Sequence, residues 1–218
     1  MPTDPTLDVE RELFAEGAKC IVGVDEVGRG AIAGPVVVGV SLIRQVTEFP
    51  TGLRDSKLLS AKRRDALVEP VTQWVETVEL GEASAAEIDE FGIVSALARA
   101  GERAFAKLAI AGTDLDGAVV LLDGTHNWLK GGLLPPLDIR VRAKADRDCA
   151  VVAAASVCAK VYRDRLMVES GGEVDPYGWS SNKGYGSEGH FAAIAEHGAT
   201  SLHRRTWIHS VSSSASGE

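Results

Sequence analysis

The sequence predicts an α/β fold, a mixed β-sheet flanked by helices. Three observations carry this. Two β-rich runs lie close together near the start, strand-type and helix-type patterns alternate after them, and one long Ala-rich stretch reads as a buried helix. Residues 1–18 form a polar lead-in, with part of Val9–Glu16 helical. Cys20–Asp25 (CIVGVD) is the first strand. Gly34–Ile43 (GPVVVGVSLI) is the second, with Pro35 at its start, where a missing N–H does least harm. Gly28, Gly30 and Gly34 lie between the two and allow a hairpin with an irregular connection. Ser60 caps a helix over Ala61–Val68, which Pro70 ends. Val75–Leu80 (VETVEL) alternates apolar with polar and reads as a third strand. Ser84 with Glu87 makes a capping-box pattern that opens a helical stretch toward Ile110, interrupted by Gly92 and Gly101. Val119–Leu122 and Ile139–Ala143 supply two more strands. Cys149–Val168 is the long helix. Its first half is apolar nearly all round, so it belongs in the interior, and its small side chains permit close approach to a sheet. The polar tail, 210–218, is expected to be disordered.

With 218 residues, 45% hydrophobic and 25% charged, the chain has the make-up of one soluble domain with a real core, here residues 19–209. The longest apolar run, near Pro35–Val40, is far short of the ~20 residues a spanning helix needs. No membrane association is expected. The acidic opening residues lack a basic-then-apolar leader, so the expected compartment is the cytoplasm. Cys20, Cys149 and Cys158 show no CxxC spacing and read as reduced, buried thiols. Net charge is −8, which taken alone argues against a nucleic-acid binder. Global charge, however, says little about a local site.

Acidic residues gather at the predicted strand ends. Asp25 and Glu26 end the first strand, Asp123 ends VVLL, and Asp146 follows IRVRAKA just before the buried helix. In open α/β sheets, sites form beyond strand ends, where loops converge. Carboxylates brought together repel unless cations compensate, and hard divalent ions with oxygen ligands are the usual compensation. The bland alternative is that these residues are only turn formers and helix caps. Successive strand residues face opposite sides, so Asp25 and Glu26 share a site only if the chain leaves the strand there; Gly28 and Gly30 permit such a bend.

The segment VGVDEVGRGAIAGPVVVGV, followed by RDSKLLSAKRR, resembles the N-terminal signature of ribonuclease HII, the type 2 ribonuclease H family. The likeness continues through LLDG at 121–124, KADRDCAVVAAASVCAKVYRDR at 144–165, NKGYGSEGH at 182–190 and LHRRTW at 202–207, in order. It implies a ribonuclease H-like fold with a C-terminal helical extension. It implies cleavage of RNA in RNA–DNA hybrids and 5′ of single ribonucleotides embedded in duplex DNA, leaving a 3′-hydroxyl and a 5′-phosphate. The family's metal-binding and catalytic carboxylates fall on Asp25, Glu26, Asp123 and Asp146. Two Mg²⁺ or Mn²⁺ ions are implied, with Asp25 bridging them and Asp146 on the nucleophile side. The substrate-binding positions fall on Gly28, Arg29 and Gly30 against the ribose 2′-hydroxyl, Tyr185 at the RNA-to-DNA junction and Lys57 on a phosphate. The 2′-hydroxyl is the group that distinguishes RNA from DNA at a given position.

Local charge suits that substrate. Between Ile139 and Leu166, Arg140, Arg142, Lys144, Arg147, Lys160, Arg163 and Arg165 face only Asp146, Asp148 and Asp164. Lys183, Arg204 and Arg205 add to the C-terminal side, so a basic track beside an acidic centre is expected to follow a phosphate backbone. Asp164 either sits near the metals or pairs with Arg163 or Arg165, and the structural role is favoured. His126, His190, His197, His203 and His209 show no zinc-ligand spacing and are assigned no catalytic role. The chain is expected to be a monomer with no protein partner evident. Two other classes remain open: another metal-dependent phosphodiesterase, which would cut all-DNA duplexes as well, and a non-catalytic hybrid-binding module, which would not need metal.

Overall fold

The computed structural model describes residues 4–129 and 136–212. Five strands are present: β1 (Cys20–Val27), β2 (Val36–Ile43), β3 (Thr77–Ala83), β4 (Ala118–Asp123) and β5 (Asp138–Arg142). The helices are α1 (Asp8–Ala15), α2 (Ala61–Trp74), α3 (Ala85–Ile110), the short α4 (Ala145–Asp148), α5 (Ala150–Gly171), and a C-terminal group of α6 (Trp179–Asn182), α7 (Glu188–His197) and α8 (Arg205–Ser212). The strands form one mixed sheet in the order β3-β2-β1-β4-β5. β1 is antiparallel to β2, and β2 to β3. β4 is parallel to both β1 and β5. The expected α/β class and helical C-terminal part are therefore present.

Strand alternation divides the interior. Cys20, Val22, Val24, Val120 and Leu122 turn toward α3, while Ile21, Val119 and Leu121 turn toward α5. α5 lies unusually close to its face. A Cβ on Gly23 would stand 2.5 Å from the carbonyl oxygen of Val151, and one on Gly39 would stand 2.6 Å from that of Ala155. Between them Ser41 donates its hydroxyl to the Val151 carbonyl oxygen at 2.6 Å. The glycines of β1 and β2 and the alanines of α5 thus let helix backbone rest on sheet backbone.

Several boundaries differ from the sequence expectation. Pro70 does not end α2, which runs on to Trp74. Proline removes one helical hydrogen bond. Pro70 itself is exposed, so water can serve the freed carbonyl, while Leu67 and Val71 keep both flanking turns on the core. β3 begins two residues later than expected and runs to Ala83, because its pairing with β2 spans Leu42↔Thr77 to Val36↔Ala83. The capping box at Ser84 and Glu87 forms. Gly92 breaks the helix behind it with φ 76°. Gly101 does not, because it lies against Leu129, whose Cδ2 stands 2.3 Å from where a Cβ would be. α8 carries helix through Ser212, so the first three residues of the expected tail are helical, and 213–218 lie outside the described residues. All three cysteines are buried and free. Among the described residues no helix is long and apolar enough to cross a membrane.

The lead-in packs onto this core through Leu7 and Leu13 of its helical region. It also caps α5. Thr6 accepts from the Ala150 amide at 3.0 Å, and Glu10 Oε1 accepts from the Val151 amide at 3.0 Å. The other Glu10 oxygen is buried with no hydrogen-bond partner. Burial pushes the Glu10 carboxyl up to about 6. The folded protein therefore holds this proton where the unfolded chain has released it. The associated stability is fully present below the unfolded value of 4.5 and is lost as pH rises through about 6. Glu10→Gln mimics the protonated form. It is expected to melt higher than the parent at pH 8, by about 2 kcal/mol of stability, with the gap closing toward pH 4. An equal gap at both pH values in thermal melts would refute this. Separately, Gly39→Ala forces a methyl against the Ala155 carbonyl and should cost about 1–3 kcal/mol. Calorimetry should read that as a Tm lower by roughly 2–12 °C for a chain of this size.

Candidate active site

The C-terminal ends of the three mutually parallel strands, β1, β4 and β5, point to one rim of the sheet. Pairing of β1 with β4 ends at Val24↔Leu122. The next residues on each are Asp25 and Asp123, side by side and on the α5 face. Asp25 lies opposite Gly39 on its other flank, where the missing side chain brings α5 in. A pocket of about 410 Å³ opens here, lined by Asp25, Glu26, Gly28, Lys57, Asp123 and Tyr185, among others. β1 does not leave the sheet at these acids, contrary to the sequence expectation. It stays paired with β2 through Val27↔Val37, and both Asp25 and Glu26 still line the pocket. Past Leu122 the β4 side of β1 carries no strand pairing, which leaves Glu26 room to reach round that edge.

Asp146 reaches the same rim by a turn. Lys144 takes a left-handed conformation, φ 62°, between β5 and α4. The Ala145 and Asp146 amides then donate to Asp123 Oδ1 at 2.7 and 3.4 Å. Lys57 Nζ meets Asp146 Oδ2 at 3.0 Å. The segment carrying Lys57 is fixed at both sides: Asp55 accepts from the Lys57 amide at 2.8 Å, and Ser56 pairs with Ser156 of α5 at 3.0 Å.

The electrostatics follow from burial. Asp25 is raised well above the ordinary carboxyl range, first by desolvation and then by Glu26, with Asp123 and Asp146 adding. Glu26 is raised by desolvation, against the pull of Arg29 at 3.4 Å. Asp123 is raised by desolvation and by Asp146. Lys57 is raised by Asp146 although its own burial opposes this. Among the described residues no group of three or more His, Cys, Asp and Glu side chains forms a preassembled metal cage. The donors available here are all carboxylate oxygens, the chemistry of Mg²⁺ and Mn²⁺ rather than of zinc. The raised pKa values of Asp25, Glu26 and Asp123 mark negative charge that a divalent cation would relieve. The residues present fit such ions.

The predicted substrate residues adjoin the acids. Gly28, Arg29, Gly30 and Tyr185 line the same pocket. Gly28 has φ 84°. The Tyr185 ring lies 5.8 Å from Lys160 Nζ and 5.5 Å from Arg163 Cζ. The basic track is mostly not free. Arg140 pairs with Glu16 and Asp138, and Arg147 with Asp148, while Arg163 and Arg204 are fully buried. Asp164 is structural as expected, but its partners are Lys160 at 2.6 Å and Arg64 at 3.4 Å, not Arg163 or Arg165. His190 and His203 are buried 3.1 Å apart beside Trp179, outside the pocket lining.

Sequence reasoning passed over Ser56 and Ser156 and placed Lys160 only in the basic track; all three also line the pocket. The Ser156 hydroxyl, which pairs with Ser56, faces Asp25 and favours its charged form. Its signal was available: it is the one hydroxyl in the otherwise apolar first half of α5, with Lys160 one turn further on the same side.

Solved structures share this architecture. Ribonuclease H2 from Pyrococcus horikoshii aligns with TM-score 0.65 at 24% identity, covering 89% of this chain and 98% of the other. Bst-RNase HIII, in complex with Mn²⁺, aligns with TM-score 0.63 at 17% identity, covering 88% and 68%. The fold is thus that of the ribonuclease H-like enzymes. Residues 22–210 match the family model for ribonuclease HII. A Streptomyces avermitilis protein named ribonuclease HII is 46% identical over 211 residues, 96% of this chain and 86% of its own length. This chain belongs to the ribonuclease HII family, enzymes with ribonuclease H activity on RNA–DNA hybrids.

Ser156→Ala removes the hydroxyl that favours the charged form of Asp25. Activity on an RNA–DNA hybrid should fall roughly 10–100-fold, the usual cost of losing a group that orients a metal ligand, while the fold persists. An unchanged rate would show that the hydroxyl does not tune Asp25.

Proposed function

We propose that this chain cuts duplex DNA 5′ of single embedded ribonucleotides as well as longer hybrids, leaving 3′-hydroxyl and 5′-phosphate ends. The observation that carries this is that one pocket is lined both by the carboxylates Asp25, Glu26 and Asp123 and by Gly28–Gly30 and Tyr185. A phosphodiester held over the acids would place its neighbouring ribose against the glycine loop.

Asp25, Glu26, Asp123 and Asp146 would hold two divalent ions, Mg²⁺ or Mn²⁺. Such ions supply water activation and stabilise the charge that builds on the leaving oxygen. The Mn²⁺ complex of the RNase HIII neighbour is consistent with this. The remaining work falls to the chain's own groups. Lys57 has 71% of its side chain exposed and can trade its contact with Asp146 for a phosphate oxygen. Arg29, half exposed beside Glu26, can bind the next phosphate along. The Gly28–Gly30 backbone approaches the ribose 2′-hydroxyl closely because no side chain intervenes at the glycines. The Tyr185 ring packs on the sugar at the junction. His126, whose ring pairs with the hydroxyl of its neighbour Thr125, takes no part.

The test is a labelled duplex carrying one ribonucleotide, incubated with Mg²⁺ or with EDTA, with the cut mapped. Cleavage 5′ of the ribonucleotide in Mg²⁺ alone is expected, and Asp25→Asn should abolish it in a folded protein. Tyr185→Ala should slow it about tenfold or more, since an aromatic stacking contact is worth ~1–3 kcal/mol. Equal cutting of an all-DNA duplex would replace this reading with a general phosphodiesterase.

A further inference from the structure

Two arginines that the sequence assigned to a phosphate track lie instead beneath the pocket. Arg163 of α5 and Arg204, just before α8, are both fully buried, and neither makes an ion pair among the described residues. Their guanidinium groups spend their donors on backbone carbonyls of one loop. Arg204 donates to Gly28 O at 2.6 Å, Arg29 O at 2.8 Å and Gly34 O at 3.1 Å. Arg163 donates to Ala33 O at 3.0 Å and Pro35 O at 2.9 Å. Arg163 also donates to Lys183 O at 2.9 Å, in the segment that leads to Tyr185.

Peptide planarity turns these contacts into a statement about the pocket. In a trans peptide the N–H of residue i+1 points opposite to the C=O of residue i. The Gly28 and Arg29 carbonyls point inward to Arg204, so the Arg29 and Gly30 amides point away from it. Among the described residues neither amide donates a hydrogen bond, whereas Ala31, Ile32, Ala33 and Gly34 all do.

We propose that Arg163 and Arg204 form a positioning clamp that holds the Arg29 and Gly30 amides, and through Lys183 the Tyr185 segment, in fixed register for the ribonucleotide. This rests on the ribonucleotide-cutting reading above. The clamp needs arginine. Its planar fork reaches several carbonyls at once, where a lysine ammonium offers one compact charge. Leaving two like charges buried side by side is costly, and burial with the Arg163 charge drives Arg204 down to about 9. Space is also committed: a Cβ on Gly28 would stand 2.0 Å from Arg163 Nε.

The test compares the parent with Arg163→Lys and Arg204→Lys in Mg²⁺, on a duplex with one ribonucleotide and on one with four in a row. Circular dichroism reports folding. In the folded variants kcat/KM on the single ribonucleotide should fall on the order of 10²-fold, the scale of a 1 Å misplacement. On the four-ribonucleotide tract the parent, with its loop held in register, should make one dominant cut, and the variants should spread their cuts over several positions. A destabilised but correctly aligned site would not spread its cuts. A parent that leaves both duplexes uncut overturns the function reading and the clamp with it. A cutting parent beside variants with unchanged rate and cut positions overturns the clamp alone. If both variants fail to fold, ¹⁵N relaxation on the parent decides: order parameters of about 0.85 at Arg29 and Gly30 support a clamped loop, and values below about 0.6 overturn it.

Discussion

The contact between α5 and the bare backbone of β1 and β2 governs nearly everything else in this molecule. A helix can lie against a sheet at backbone distance only where both surfaces are almost without side chains. Gly23 and Gly39 on the sheet, and the alanine run on the helix, meet that condition. The consequences are spread along the helix. The turn before its start holds Asp146, its first half puts Ser156 beside Asp25, and the two turns that follow carry Lys160 at the pocket wall and Arg163 beneath it. Raising the helix by one methyl group would loosen all of these together.

The pocket is acidic because of where charge is buried, not because the chain is acidic overall. Asp25, Glu26 and Asp123 all sit where water is scarce, and each is raised chiefly by that scarcity. Lys57 pairs directly with Asp146 and relieves Glu26 and Asp123 only in part. The protein keeps a concentration of unrelieved negative charge on a rigid rim, the condition under which hard cations bind well with few ligands.

Much of this was legible from the residues. Five strands were anticipated because their apolar runs are short and bounded by turn formers. The four acids were located because each ends a strand or follows one. What escaped has identifiable causes. Pro70 reads as a stop only if its lost hydrogen bond goes unserved, and solvent exposure is a tertiary fact. The basic track was read from counts in sequence, yet Arg163 and Arg204 turn inward and Arg140 and Arg147 find carboxylates, which no linear count reveals. Asp25 and Glu26 were expected to need a break in the strand, when an open flank beyond the last β4 pair serves instead.

The cap on α5 joins residues far apart in the chain: Glu10 meets Val151, and Thr6 forms a bridge with Cys149. During synthesis the opening segment can meet β1 and Arg54 early, but its capping contacts must wait until that helix emerges. At about 5–20 residues per second, that wait lasts on the order of 10–30 s. The cap is therefore a late contact, and it closes the start of a helix whose own burial must already be under way.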